Sequence, residues 1–72
     1  MKILSQNKQI LLNDNHVLCY ERHGDYIQVH PSHGGSSIAM GFFNTRERTE
    51  EVFNELIQCA KDGVPFYEIP EE

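Results

Sequence analysis

Residues 1–43 contain short apolar runs and alternating segments separated by turns, a pattern that predicts short β-strands. Apolar runs at 2–6 and 9–12 are separated by two polar residues, an arrangement typical of a tight turn. A later run at 37–43 also alternates, and Gly41 inside it indicates a β-bulge or the close approach of another element. This part of the chain therefore predicts a sheet of short neighbouring strands.

The sharpest local pattern is a hairpin with His23-Gly24 at its turn. Residues 16–22 and 25–31 form its two predicted strands, and the glycine stands where a two-residue turn needs a positive φ. A turn at this place fixes which residues of the two strands lie opposite each other.

With that turn, Tyr20 lies opposite Ile27 and Leu18 lies opposite Val29, and we assign these four residues to the core side of the sheet. The reverse side mixes apolar, polar and titratable side chains, and it is open to solvent or to a partner. This mixed face consists of Val17, Cys19, Glu21, Tyr26, Gln28 and His30.

The hydrophobic period changes after residue 43. Residues 46–61 have apolar positions at helical spacing and predict an amphipathic helix. Asn44 or Thr45 would cap its start, and Gly63 would end it in the left-handed conformation. Residues 65–69, between two prolines, predict a terminal edge strand. The apolar stripe of the helix consists of Thr49, Val52, Phe53, Leu56, Ile57 and Ala60.

These elements predict a single α+β domain over residues 1–72. We expect an antiparallel sheet of four or five short strands with one amphipathic helix packed on one face. A chain this short buries only about 60% of its unfolded surface, so its core is small. Such a chain often gains stability from a partner subunit, a metal or a disulfide.

The net charge of −5 comes from 6 basic and 11 acidic residues, and it lies in one half of the chain. Residues 1–44 contain three of each sign, whereas residues 45–72 contain three basic and eight acidic residues. All four histidines lie in the neutral half. A protein that binds duplex nucleic acid needs a basic footprint, so the charge argues against that class of partner.

Two further features of the sequence bear on where the protein works. No apolar run approaches the ~20 residues of a membrane-spanning helix, so we expect no membrane partner. The first residues lack the apolar stretch of an export signal. The two cysteines, without such a signal, indicate free thiols in a reducing cytoplasm.

Three of the histidines form a candidate metal site. His30 and His33 have the spacing His-x-x-His, and the predicted hairpin brings His16 next to the same loop. Three imidazoles with an open fourth position suit catalytic zinc, so a small metal-dependent enzyme is one hypothesis. The alternative is ordinary surface histidines, because no acidic residue is placed to orient them. We favour the second interpretation and predict no cofactor and no enzymatic activity.

The start of the helix is a candidate site for an anion. Arg46 and Arg48 lie in its first turn, where cations oppose the helix dipole. Cations at this position destabilise the helix slightly without an evident local benefit, which indicates a functional role for the two arginines. The alternative is that these arginines pair with Glu50, Glu51 or the sheet edge, and each such pair contributes about a few tenths of a kcal/mol.

Three segments of the chain resemble small uncharacterised proteins of Firmicutes-type bacteria and their phages. These segments are the opening MKILSQ, the GFFNT entry to the helix at 41–45, and the ending FYEIPEE at 66–72. The resemblance implies an accessory protein of a mobile element, working in the cytoplasm of the bacterial host. It assigns no functional residue.

We therefore predict a non-enzymatic binding protein that forms homo-oligomers. It would block a host protein, such as one of a defence system, or sequester a small anionic signal molecule. The remaining alternative is a plain structural or regulatory scaffold. The predicted contact residues are Arg46 and Arg48 at the helix start and Val17, Tyr26, Gln28 and His30 on the mixed face.

Overall fold

A computed structural model describes all 72 residues as six strands, one helix and a single 3-10 turn. The bounds are β1 Lys2–Leu4, β2 Leu11–Asn13, the 3-10 turn Asp14–His16, β3 Val17–His23, β4 Tyr26–Pro31, β5 Ile38–Phe42, α1 Arg46–Asp62 and β6 Phe66–Glu68. The predicted α+β class with one helix is confirmed. The predicted single sheet is wrong, because the strands form two sheets of three.

The smaller sheet has the order β2-β1-β6. Its first two strands are antiparallel neighbours in the chain, whereas β6 runs parallel to β1. Parallel neighbours need a long crossover between them, and here the intervening chain includes the whole larger sheet and α1. The terminal segment is therefore an edge strand, as its flanking prolines predicted, but it pairs with the first strand of the chain.

The larger sheet is antiparallel with the order β3-β4-β5. His23 pairs with Tyr26, so the turn consists of Gly24 and Asp25 and lies one residue later than predicted. Gly24 does not adopt a positive φ. Tyr20 consequently lies opposite Val29 rather than opposite Ile27. The shift of the pairing is two residues, and an even shift keeps each side chain on its predicted face.

A β-bulge interrupts this pattern at the start of β3. Val17 pairs with Pro31 and Cys19 pairs with His30, which leaves Leu18 as the extra residue. Leu18 was predicted to face the core but is 71% exposed. Val17 was predicted on the mixed face but packs against the core. The bulge explains both errors, because one extra residue reverses the alternation beyond it.

The helix has the predicted extent and caps. Thr45 is the N-cap, with its hydroxyl accepting a hydrogen bond from the Arg48 backbone N–H at 3.1 Å. Gly63 ends the helix with a φ of 70°, a conformation that favours glycine. Thr49, Val52 and Leu56 are the buried residues of the stripe, whereas Ala60 at its end is exposed. No helix of the fold combines the length and apolar character needed to span a bilayer.

One core unites the two sheets and the helix. It contains Ile3, Ile27, Val29, Met40, Phe43, Val52, Leu56, Tyr67 and Ile69. Gln6 provides a polar link between the sheets. Its backbone N–H donates to Met40 at 2.8 Å, and its side-chain amide both donates to the Phe42 carbonyl and accepts from the Phe42 N–H. The side chain thus pairs with the free edge of β5 as a neighbouring strand would.

Candidate functional site

The outer face of the larger sheet is the candidate site. Ile27 and Val29 are buried in the core, so their neighbours in β4 point to the opposite side. Those neighbours include Tyr26, Gln28 and His30, which were the predicted contact residues. We define the outer face as Cys19, Glu21, His23, Tyr26, Gln28, His30, Ala39 and Phe42.

A row of three aromatic rings crosses this outer face. The ring centroids of Tyr26 and Phe42 lie 5.6 Å apart with a tilt of 33°. His23 stacks on the other side of Tyr26 at 5.1 Å and 14°. Phe42, the last residue of β5, is 58% exposed. The three rings are cross-strand neighbours, so the sheet itself holds the row in place.

A polar network lies beside the aromatic row and centres on one carboxylate oxygen. Oε1 of Glu21 is 2.8 Å from Nε2 of His30 and 2.9 Å from Nε2 of His23. The side-chain amide of Gln28 also donates to it, at 2.6 Å. We call Glu21, His23, Gln28 and His30 the Glu21 cluster. Three donors around one oxygen favour its ionised form.

Hydrogen bonding within the cluster lowers the pKa of Glu21 to about 2, with His30 contributing most, then His23, then Gln28. The carboxylate therefore stays ionised throughout the ordinary range of pH. Nε2 of His23 lies 3.0 Å from the Gln28 amide nitrogen as well as near Glu21. It donates to Glu21 when it carries a proton and accepts from Gln28 when it does not.

The three histidines proposed as metal ligands do not form a metal site. His16 lies in the 3-10 turn and His33 in the loop after β4, both exposed, whereas His30 contacts Glu21. No group of three or more His, Cys, Asp or Glu side chains is placed to hold a metal ion. An acidic partner for His30 was not predicted, and Glu21 is that partner.

The helix start already holds a carboxylate from the end of the chain. Oε2 of Glu72 accepts the Asn44 backbone N–H at 3.1 Å, and Oε1 lies 3.3 Å from Nε of Arg48. Arg48 also lies 3.5 Å from Glu51, the local pairing that was the alternative prediction. Arg46 is exposed and forms no ion pair. The position where an external anion was expected is therefore filled by the chain's own Glu72.

The surface contains one cavity, of about 50 Å³. Small-molecule sites are usually ~300 Å³ or larger, so this cavity is too small for a metabolite. It lies beside Gln6 and the β5 edge rather than over the Glu21 cluster. Its lining consists of Gln6, Asn7, Ala39, Met40, Gly41 and Phe42.

The mixed face predicted from the sequence contains five of the eight outer-face residues: Cys19, Glu21, Tyr26, Gln28 and His30. Tyr26, Gln28 and His30 do share one face, but the binding-residue prediction left out His23, Glu21 and Phe42. The two-residue error in register placed Glu21 opposite Tyr26, whereas it lies opposite Gln28. A turn at Gly24-Asp25, with Asp favoured in turns, was the signal that could have corrected the register.

Comparison of the chain with protein-family models, curated proteins and solved structures found no match. The fold and the outer face define the chain as a small α+β protein with an open, aromatic sheet surface.

Proposed function

We propose that this chain is a small, non-enzymatic binding protein that contacts a protein partner through the outer face of its larger sheet. The observation that carries the proposal is the exposed aromatic row beside the Glu21 cluster. Aromatic side chains are enriched in protein interfaces, and Lys, Glu and Asp are depleted there. The outer face has one acidic residue and no lysine or arginine, although the chain as a whole carries a charge of −5.

A macromolecule fits this surface better than a small ligand does. The outer face is an open sheet surface, and the single cavity of about 50 Å³ lies at its margin. The helix start offers little to a small anionic signal molecule, because Glu72 already accepts the Asn44 N–H and contacts Arg48. A metal-dependent reaction has no support from the positions of His16, His30 and His33.

The identity of the partner rests on the resemblance to small proteins of Firmicutes-type bacteria and their phages. On that basis the partner is a protein of the bacterial host cytoplasm, and occupying it blocks its function. The proposed partner is a host defence protein, because blocking it would protect a mobile element. The protein acts as a homo-oligomer in this proposal, since a chain this small gains stability and contact area by self-association.

The test compares two phenylalanines of similar exposure on the two sheets. Phe42 on the outer face is 58% exposed, and Phe66 on the smaller sheet is 48% exposed. Immobilised wild type, Phe42→Ser and Phe66→Ser are each incubated with lysate of a Firmicutes host, and retained proteins are identified by mass spectrometry. Binding of each retained protein is then measured with purified components.

We expect at least one host protein to bind the wild type and Phe66→Ser alike and to lose most of its affinity for Phe42→Ser. Truncation of an aromatic interface anchor weakens binding by about tenfold or more. A purified host protein whose affinity is the same for Phe42→Ser, or the absence of any specific ligand, would argue for the scaffold alternative.

A further inference from the structure

The exposed edge of β3 differs from every other strand edge in the fold. A free edge presents unpaired N–H and C=O groups, and proteins protect such edges by short strands, prolines, lysines or covering segments. Strands β2 and β6 are three residues long, and β6 is flanked by Pro65 and Pro70. The edge of β5 is covered by Gln6, which bonds Met40 and Phe42.

Strand β3 has little of this protection. It is the longest strand, with seven residues, and contains no proline and no lysine. Apart from the Val17 N–H, which donates to the Asp14 carbonyl, its backbone forms hydrogen bonds only with β4, so the opposite edge from Cys19 to His23 has no strand partner within the chain. The only protective device is the bulge at Leu18, and that leaves a regular edge from Cys19 to His23.

Two properties of this edge indicate what covers it. Leu18 is 71% exposed, the highest value among the exposed large apolar side chains. The strand carries one acidic and one basic residue, Glu21 and Arg22, and so has no formal net charge apart from its histidine. Two copies of a chain with charge −5 repel each other. A neutral edge is where such copies can approach at least electrostatic cost.

The charges of β3 decide the register of a symmetric contact. Antiparallel pairing of β3 with a second β3, centred on Tyr20, places Glu21 opposite Cys19 of the second copy and Arg22 next to Leu18 at the bulge. No like charges then face each other, and Leu18 can cover the apolar stem of Arg22, whose guanidinium donates to Glu50 of α1 at 2.9 Å. Centring on Glu21 instead would oppose two carboxylates.

We infer that β3 pairs with β3 of a second copy of this chain, joining two three-stranded sheets into one six-stranded sheet. This extends the self-association in the proposed function and assigns it to an edge rather than to the outer face. One strand per copy buries less than the ~1,200 Å² typical of stable complexes, so the dimer is weak, with a dissociation constant in the micromolar range or above.

The test uses a matched pair of charge substitutions. Leu18→Lys places a lysine next to Arg22 of the second copy, and Leu11→Lys makes the same change on β2, at a residue 55% exposed. Both variants have the same net charge and keep the core intact. Sedimentation equilibrium of the wild type and the variants from about 10 μM to about 1 mM gives the dissociation constants over the weak range.

We expect a reversible dimer for the wild type, a dissociation constant at least about tenfold higher for Leu18→Lys, and no such increase for Leu11→Lys. Amide hydrogen exchange identifies the contact: every second amide of β3, those not bonded to β4, gains protection as protein concentration rises. A wild type that stays monomeric at about 1 mM overturns the inference. So does a dimer weakened by Leu11→Lys but not by Leu18→Lys. Loss of a host ligand in Phe42→Ser is a separate result, because Phe42 lies on β5.

Discussion

The two sheets of this protein share one core but differ in what they expose. The smaller sheet uses strands of three residues and exposes Leu11 and Phe66, and its β6 residue Glu68 forms an exposed ion pair with Lys8. The larger sheet has strands of five to seven residues and exposes an ordered aromatic row beside the Glu21 cluster. Both sheets contribute to the core, whereas an ordered row of aromatic side chains is found on one.

The difference follows from how each strand is paired. In the smaller sheet, β1 is central and joins the first and last parts of the chain. In the larger sheet, β4 is central, and its alternation separates buried Ile27 and Val29 from Tyr26, Gln28 and His30. A half-buried central strand of six residues is long enough to present both a core face and an outer face of aromatic and polar side chains.

The largest effect is expected from truncating a core side chain that both sheets share. Leu56 is the fully buried leucine of α1, and Leu56→Ala should lower the free energy of unfolding by about 3 kcal/mol. Because the loss acts on the shared core, both sheets should melt in one transition at a lower temperature. Thermal unfolding followed by circular dichroism measures this. The control is Ala60→Gly, at an exposed position of the helix, with a loss of about 1 kcal/mol.

The next largest effect is expected where the sheets meet. A Cβ added at Gly41 would lie 2.7 Å from Cγ2 of buried Ile69 and 3.3 Å from the Phe43 ring. Gly41→Ala should therefore destabilise the protein by about 2 kcal/mol through overpacking. Gly24→Ala is the control, since nothing lies within 4 Å of that position and its φ is not positive. Urea denaturation that found equal stability for the two variants would contradict the close approach of Ile69.

A smaller effect should come from the polar link between the sheets. Gln6→Ala removes the side-chain bonds to Phe42 and to the Pro70 carbonyl, with an expected cost of about 1 kcal/mol. The freed β5 edge should also exchange its Phe42 amide proton faster, because that proton is bonded to the Gln6 side chain. Hydrogen exchange should leave the Ile3 amide in the smaller sheet nearly unchanged; a uniform increase in exchange would mean that Gln6 acts on global stability alone.

The smallest effect on stability is expected from the Glu21 cluster on the outer face of the larger sheet. The pKa of Glu21 falls from its usual 4.5 to about 2 on folding, because of its bonds to His30, His23 and Gln28. As the pH falls, the Glu21 carboxylate takes up a proton at a higher pH in the unfolded chain than in the folded chain. The stabilisation is therefore present above pH 4.5 and is lost as the pH falls towards 2. Glu21→Gln should remove this part of the acid dependence. Chemical denaturation across that range checks it, with Glu47→Gln on the helix surface as the control.

Local patterns in the sequence predicted the elements better than their assembly. The helix, its Thr45 cap and its Gly63 end follow from spacing and residue type within a few positions of each other. The hairpin was found, but its register was off by two because either His23-Gly24 or Gly24-Asp25 can form the turn. The Leu18 bulge, which exchanges the faces of Val17 and Leu18, leaves no local signal that distinguishes it from a regular strand.

The predictions about the site failed for related reasons. The face shared by Tyr26, Gln28 and His30 needed only period-two alternation and was placed correctly. The contacts of Glu21 with two histidines depend on cross-strand register, and the position of Glu72 at the helix start depends on contacts across 28 residues of sequence. Periodicity in one segment carries no information about either. The parallel pairing of β1 with β6 was missed for the same reason.

That parallel pairing also bears on the order in which the two sheets can form. The larger sheet contains only strands that are neighbours in the chain, so the loops it closes are short and it can form early in folding. Strand β1 gains its second neighbour only when Phe66–Glu68 folds back across the whole intervening chain, which is the slower step. Until then, the side of Ile3 that packs into the core has little to cover it. A folding intermediate with a formed larger sheet and an uncovered Ile3 would therefore be prone to aggregation.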